Sequence, residues 1–182
     1  MSVGNDPLRL THYLAFGSNL LMARLEARIG SFAVVGRTQL SGRSLRYHKA
    51  GADGSGKADC FWTGQDSDVV WGMVYTIDAV QRAELAEIEG VGNGYREAMA
   101  TVRVNAPTGT RELDVFFYEA ESEAVRPELL PFDWYREYIL KGAQQHRFDP
   151  DYVDLISAQQ VMPDPDPERS HGHWRLLDET SG

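Results

Sequence analysis

From Thr11 to Phe16 the chain is apolar and aromatic; it breaks at Gly17-Ser18-Asn19 and continues to Arg28 with apolar positions at helical spacing. This pattern predicts a strand, a corner and a helix from Leu20 to Arg28. Ser18 or Asn19 is expected to cap the helix, since a short side-chain oxygen satisfies a free first-turn N–H. Gly17 permits a sharp turn and a close approach to the backbone. Such a corner points several N–H groups at one spot, which suits an anion or a polarised carbonyl. By itself the stretch reads as an ordinary βα turn.

Strand-like pieces follow at Phe32-Ala33-Val34-Val35 and Leu45-Arg46-Tyr47, interrupted by Gly36 and Gly42, which suggest bulges or tight bends in a curved sheet. Lys49 to Lys57 is glycine-rich and is expected to be a flexible hairpin tip; it lacks the spacing of a phosphate loop. Ala58 to Thr63 and Val69 to Ile77 read as strands joined by a polar turn. The second places Val70, Gly72, Val74 and Thr76 on one face and Trp71, Met73, Tyr75 and Ile77 on the other, so it is expected to be buried on both sides. Asp78 should cap a helix, Ala79 to Glu87, with Val80, Leu85 and Ile88 inward. A turn-rich loop, Glu89-Gly90-Val91-Gly92-Asn93-Gly94, leads into a hairpin of Tyr95–Val104 and Leu113–Tyr118. Phe132 to His146 is an amphipathic helix with Phe132, Tyr135, Ile139 and Ala143 on one stripe, and Pro150 opens a short helix through Gln159. Residues 1–10 read as a flexible leader, 11–162 as one domain, and 163–182, with its Asp-Pro run, as an extended tail.

Composition narrows the function. The 182 residues suffice for one core, and the formal net charge of −9 argues against a nucleic-acid partner, since phosphate binding needs a basic face. Cys60 is the only cysteine, which excludes an intrachain disulfide and a cysteine zinc cluster. No apolar run approaches the roughly 20 residues needed to span a bilayer. The first ten residues lack an apolar signal core, so no membrane association and a cytoplasmic location are expected. The five histidines show no zinc-site spacing, and Cys60 lies in a strand pattern as a small core residue. Ser18 sits where a nucleophile elbow would, but Phe16 and Leu20 replace its flanking glycines, which leaves Ser18 structural or substrate-binding. Glu89 stands at the end of a helix, where the macrodipole disfavours a carboxylate. Held there and partly buried, it would have a raised pKa and could act as a general base; the competing reading is a solvated glutamate beside Glu84 and Glu87.

Tyr13-Leu14-Ala15-Phe16-Gly17-Ser18-Asn19-Leu20, then Glu89-Gly90, then Tyr95-Arg96 at the start of a strand, resembles the γ-glutamylcyclotransferase-like superfamily, which includes the AIG2-like proteins. Val70-Trp71-Gly72-Met73-Val74-Tyr75 is similar to the family's strand before the catalytic helix. Tyr135-x-x-Tyr138-Ile139-x-x-Gly142-Ala143, followed by Phe148-Asp149-Pro150-Asp151-Tyr152, resembles its C-terminal helix pair. The resemblance spans about residues 11–160. It implies an α+β fold, a small mixed β-barrel of five or six strands flanked by helices, with a pocket at one mouth.

It also implies a cofactor-independent, metal-free cyclotransferase acting on a small γ-glutamyl compound. Tyr13, Leu14, Ala15, Phe16, Gly17, Ser18 and Asn19 would bind the glutamyl part through backbone N–H groups. Glu89 would be the acid/base, and Tyr95 and Tyr152 would contact substrate. The family's tyrosine before the glycine is replaced here by Phe16. The α-amino group would attack its own γ-carbonyl, giving 5-oxoproline and a free amine, with much of the advantage supplied by proximity. A glutamate near its ordinary pKa of ~4.3 is a weak base for this step, and one raised to ~6–7 would match it. A non-catalytic binding domain, or an enzyme for a γ-glutamylated biosynthetic intermediate, remains an alternative. Glutathione-type substrates and the oligomeric state, a homodimer included, stay open.

Overall fold

The computed structural model describes residues 9–180; the first eight positions of the expected leader lie outside them. Five strands close into a barrel: β1 (Thr11–Ala15), β2 (Ala33–Ser41), β5 (Val69–Ile77), β6 (Tyr95–Ala106) and β7 (Gly109–Ala120), in the order β1-β5-β2-β6-β7. The pairs are antiparallel, except that β1 meets β7 in parallel at Tyr13↔Phe116. The fold is therefore α+β with a mixed barrel. Two further strands, β3 (Arg43–Ala50) and β4 (Gly56–Trp62), form a separate antiparallel ribbon.

The glycine interruptions in β2 have the expected effect. The register with β5 shifts between Val34 and Gly36, and a Cβ at Gly36 would lie 2.3 Å from the Asn105 carbonyl oxygen. The bulge lets β2 bend from β5 onto β6. β5 is enclosed on both faces: Val74, Tyr75 and Ile77 are buried with Phe116, Phe117, Leu14 and Leu25. Each such large apolar side chain contributes about 1.5–3 kcal/mol by leaving water.

Helix α1 (Met22–Ile29) follows a 3-10 turn at Ser18–Leu20. The expected cap is not found: Leu21 stands at the N-cap without a side-chain bond, because the Asn19 side chain is drawn elsewhere. Helix α2 (Ala79–Glu89) is opened by a capping box between Asp78 and Gln81 and closed by Gly90 in the left-handed conformation, φ 72°. Of its expected inward positions only Leu85 is buried; Val80 and Ile88 are 52% and 45% exposed on a helix that rests against α1.

Helix α3 (Asp133–Gln145) packs against the 3-10 turn, with Phe132, Tyr135, Ile139 and Ala143 buried as the stripe predicts. A Cβ at Gly142 would fall 2.5–2.6 Å from Leu20 and Leu21, so the two backbones touch there. His146 Nε2 and the Tyr75 hydroxyl, 2.9 Å apart, both hold the Leu20 carbonyl oxygen, at 2.8 and 3.2 Å. Helix α4 (Pro150–Ser157) follows, with Asp149 capping it.

The tail is a correction. Residues 167–179 form helix α5 (Pro167–Glu179) rather than an extended segment. Asp166 caps it through Glu168 and Arg169 N–H, and Pro167 occupies the first turn, where proline costs nothing. The Asp-Pro run that reads as a helix breaker is a helix start. Leu177 is fully buried, His173 stacks on Trp134 at 3.7 Å, and Asp164 accepts from Trp134 Nε1 and Arg169. No helix of the described residues is long and apolar enough to cross a membrane.

Candidate active site

The corner after β1 faces the end of α2 across a small recess lined by Tyr13, Phe16, Gly17, Ser18, Asn19, Ala58, Glu89, Tyr95, Tyr118 and Tyr135. The recess measures about 30 Å³ and opens into a cleft of about 490 Å³. Leu20 N–H closes the turn onto the Gly17 carbonyl at 2.9 Å. Among the described residues, the N–H groups of Gly17, Ser18 and Asn19 donate to no protein acceptor. Gly17 has an ordinary φ of −102°, so space rather than handedness requires glycine: its Cβ would meet Ala58 Cβ at 3.2 Å.

The Ala58 peptide is held at this distance from both sides. Tyr95 donates its hydroxyl to the Ala58 carbonyl at 2.5 Å, and Ala58 N–H donates to the Tyr135 hydroxyl at 3.1 Å. Burial pushes the pKa of both tyrosines up, so they remain neutral hydroxyls.

Glu89 is pinned by one oxygen. Its Oε1 accepts from Arg28 Nη1 at 2.7 Å and from Asn19 Nδ2 at 2.8 Å. Among the described residues, Oε2 accepts no hydrogen bond. Arg28 also donates to Asn19 Oδ1 at 2.9 Å. Because a guanidinium has donors only, this contact fixes the amide and turns its Nδ2 toward Glu89. The same Nδ2 donates to the Tyr13 hydroxyl at 3.0 Å, leaving that hydroxyl's own proton available. The ion pair offsets the macrodipole's cost at the helix end. Glu89 is thus neither the isolated carboxylate nor the solvated glutamate that the sequence offers. The Tyr118 hydroxyl, buried in the recess, has no hydrogen-bond partner among the described residues.

The cleft carries four cations, Arg24, Arg28, Lys49 and Lys57. The Lys49–Lys57 tip forms one wall and is tied down rather than loose. Lys57 Nζ donates to Asp53 at 2.7 Å and Ser55 at 2.8 Å, and lies over the Tyr135, Trp134 and Phe132 rings. Burial pushes Asp53 up, but its bonds from Lys57 and Ser55 outweigh this and hold the carboxyl below its usual range. Larger grooves lie elsewhere, of about 720 and 860 Å³. In the first, the arginines are already committed: Arg43 and Arg96 both pair with Glu119.

Seven of the expected site residues, Glu89 included, therefore meet at the recess: Tyr13, Phe16, Gly17, Ser18, Asn19 and Tyr95 line it together with Glu89. Three expected residues do not. Leu14 is turned to the far side of β1, where a Cβ on Gly72 would strike it at 2.5 Å; Ala15 is in the strand pairing with Met73; Tyr152 packs on Phe148, outside both recess and cleft. A tyrosine that does line both is Tyr135, which stands on the predicted buried stripe of α3. Arg28, Arg24, Lys49, Tyr118 and Tyr135 were not legible as site residues; only the stripe pointed to the last. Cys60 is buried and its thiol is pushed up to about 12 by burial, as befits a core residue.

A model of the AIG2-like family matches residues 69–156, from β5 into α4, a segment that includes Glu89 and Tyr95. Over this segment the chain is similar to the AIG2-like family, and its fold is that of γ-glutamyl cyclotransferase. Among solved structures, an uncharacterized protein from Homo sapiens is similar with a TM-score of 0.76 at 24% identity, over 93% of this chain and 98% of that one. A protein named gamma-glutamyl cyclotransferase gives 0.75 at 22% identity, over 94% and 99%. A γ-glutamyl cyclotransferase from yeast, described as specific to glutathione, gives 0.53 at 13% identity, over 94% and 96%. At these identities the likeness is one of fold. No curated protein matches the chain.

Proposed function

We propose that the protein is a γ-glutamyl cyclotransferase, releasing an amine or amino acid from a γ-glutamyl compound as 5-oxoproline forms. The observation that carries this reading is Glu89: one carboxylate oxygen is fixed by Arg28 and Asn19, the other is unbonded at a recess edged by three unused backbone N–H groups. A base and a set of oxyanion donors on one small recess are what an acyl transfer requires.

The substrate's α-nitrogen forms a bond to its own γ-carbonyl carbon, closing a five-membered ring, and the bond from that carbon to the leaving nitrogen breaks. The α-nitrogen gives up two protons, one from the ammonium before attack and one as the new C–N bond forms; Glu89 Oε2 takes each in turn and passes it to the leaving nitrogen, which departs as an ammonium ion. The carbonyl oxygen, negative in the tetrahedral intermediate, faces the N–H groups of Gly17, Ser18 and Asn19. Losing one donor of this kind costs about 10²–10³ in rate. Nothing is oxidised or reduced.

Incubation with γ-glutamyl amino acids, γ-glutamylamines and glutathione, with chromatography for 5-oxoproline, tests the reading. Product from at least one of them supports it. Specific binding of these compounds without product would mark a non-catalytic binding domain and overturn it.

A further inference from the structure

Two of the four cleft cations are already committed. Arg28 is spent on Glu89 and Asn19, and Lys57 on Asp53 and Ser55. Arg24 and Lys49 have no ion-pair partner among the described residues. Arg24 lies 4.2 Å over the Tyr138 ring. Lys49 is only 9% exposed, yet its ammonium makes one contact of note, 4.7 Å from the centre of the Tyr95 ring. Gly94 makes room for it: a Cβ there would lie 2.9 Å from Lys49 Cε and 3.2 Å from Nζ. Lys49 is thus threaded between the tyrosine at the recess and the loop that follows Glu89. Burial pushes its ammonium pKa down, against the more distant pulls of Glu89, Asp53 and Glu121. Enclosing a cation without an anion costs free energy, and a ligand carboxylate would remove that cost.

Every γ-glutamyl compound brings one carboxylate, on the glutamyl α-carbon. A second exists only when the leaving group is itself an amino acid or peptide. With the reacting carbonyl in the small recess beside Glu89, the wider cleft is the space left for the leaving group, beside Lys49, Ala50 and Gly51. We infer that Lys49 is a specificity-determining residue that binds the carboxylate of the leaving group, so that the enzyme selects γ-glutamyl amino acids or peptides over γ-glutamylamines. Arg24 is left to answer the carboxylate common to all substrates. The inference rests on the cyclotransferase reading above.

The test compares γ-glutamylalanine with γ-glutamylethylamide, which lacks only the carboxylate, on the full-length protein, Lys49→Met and Lys49→Arg. The wild type should favour the alanine compound at least about tenfold in kcat/KM, the size expected for a partly buried charge-assisted contact. Lys49→Met should erase that preference, with the larger loss falling on the alanine compound through KM, and Lys49→Arg should restore much of it. Equal use of both compounds by the wild type, or an equal loss on both in Lys49→Met, would overturn the inference and leave the cyclotransferase reading standing. If neither compound is turned over, calorimetric binding of the same pair decides: selective binding lost in Lys49→Met upholds the Lys49 site while the catalytic reading fails, and unselective or absent binding overturns both.

Discussion

Asn19→Ala is the sharpest probe of how the site is assembled. The change removes the bonds from Asn19 to Glu89 at 2.8 Å, to Tyr13 at 3.0 Å and from Arg28 at 2.9 Å, while the direct Arg28–Glu89 contact stays. Asn19 is 3% exposed, so no water stands ready to replace it. A hydrogen bond to a charged group is worth about 1.5–3 kcal/mol, and leaving a buried partner unsatisfied costs about 1–3 kcal/mol. Expressed at the transition state, the first figure corresponds to about a 10- to 150-fold loss in kcat. Expressed in stability, the second lowers Tm by about 2–12 °C for a chain of this length. KM should hold, because the side chain is occupied with Glu89, Tyr13 and Arg28. Steady-state 5-oxoproline formation and thermal unfolding of the same preparation give both numbers. A folded variant whose kcat stays within about twofold of wild type would refute the idea that Asn19 positions the base.

Three further outcomes follow from the geometry. Leu177→Ala, which opens a cavity under α5, should cost about 2–5 kcal/mol by urea denaturation; no change would mean that α5 does not dock. Gly17→Val should reduce kcat/KM by at least about a hundredfold with a much smaller loss of Tm, since the new side chain is driven against Ala58 and the Tyr135 hydroxyl beside the oxyanion donors; near-normal turnover would remove the corner from the chemistry. Burial first, and then the charges of Arg24 and Lys57, push His173 from 6.5 down to about 4, with Asp164 pulling the other way. The unfolded chain then takes up a proton at higher pH than the folded one, so stability should be complete above about pH 6.5 and fall as pH drops toward 4, an effect that His173→Gln should blunt in melting curves run across that range.

The site's frame was legible because it is local. The change of period at Gly17-Ser18-Asn19 and the Glu89-Gly90 helix end are both written in a few adjacent residues, and both lie where expected. What those residues touch was not legible. Asn19 reads as a cap because capping is the local use of a short polar side chain, whereas its partner is 70 positions away. Arg28 reads as one more polar residue on an amphipathic helix until α1 is laid against α2. Tyr135 and Tyr152 both stand on short amphipathic helices, and only the docking of α3 against the corner decides which one meets the recess. The tail failed differently: each of its prolines and aspartates was weighed as a breaker, when Asp166 and Pro167 occupy the two positions where those residues start a helix.

The central claim is that Glu89 moves the proton, and Glu89→Gln tests it most directly. Glutamine keeps the shape and can still meet Asn19 and Arg28 through its amide oxygen, but it has no basic oxygen to turn to the recess. General acid–base catalysis is worth about 10²–10⁴-fold, so kcat for 5-oxoproline formation should fall by at least that order, with substrate still bound and the fold intact. Glu84→Gln and Glu87→Gln, on the same helix, should remain active. A Glu89→Gln protein that turns substrate over within a few-fold of wild type would contradict the mechanism.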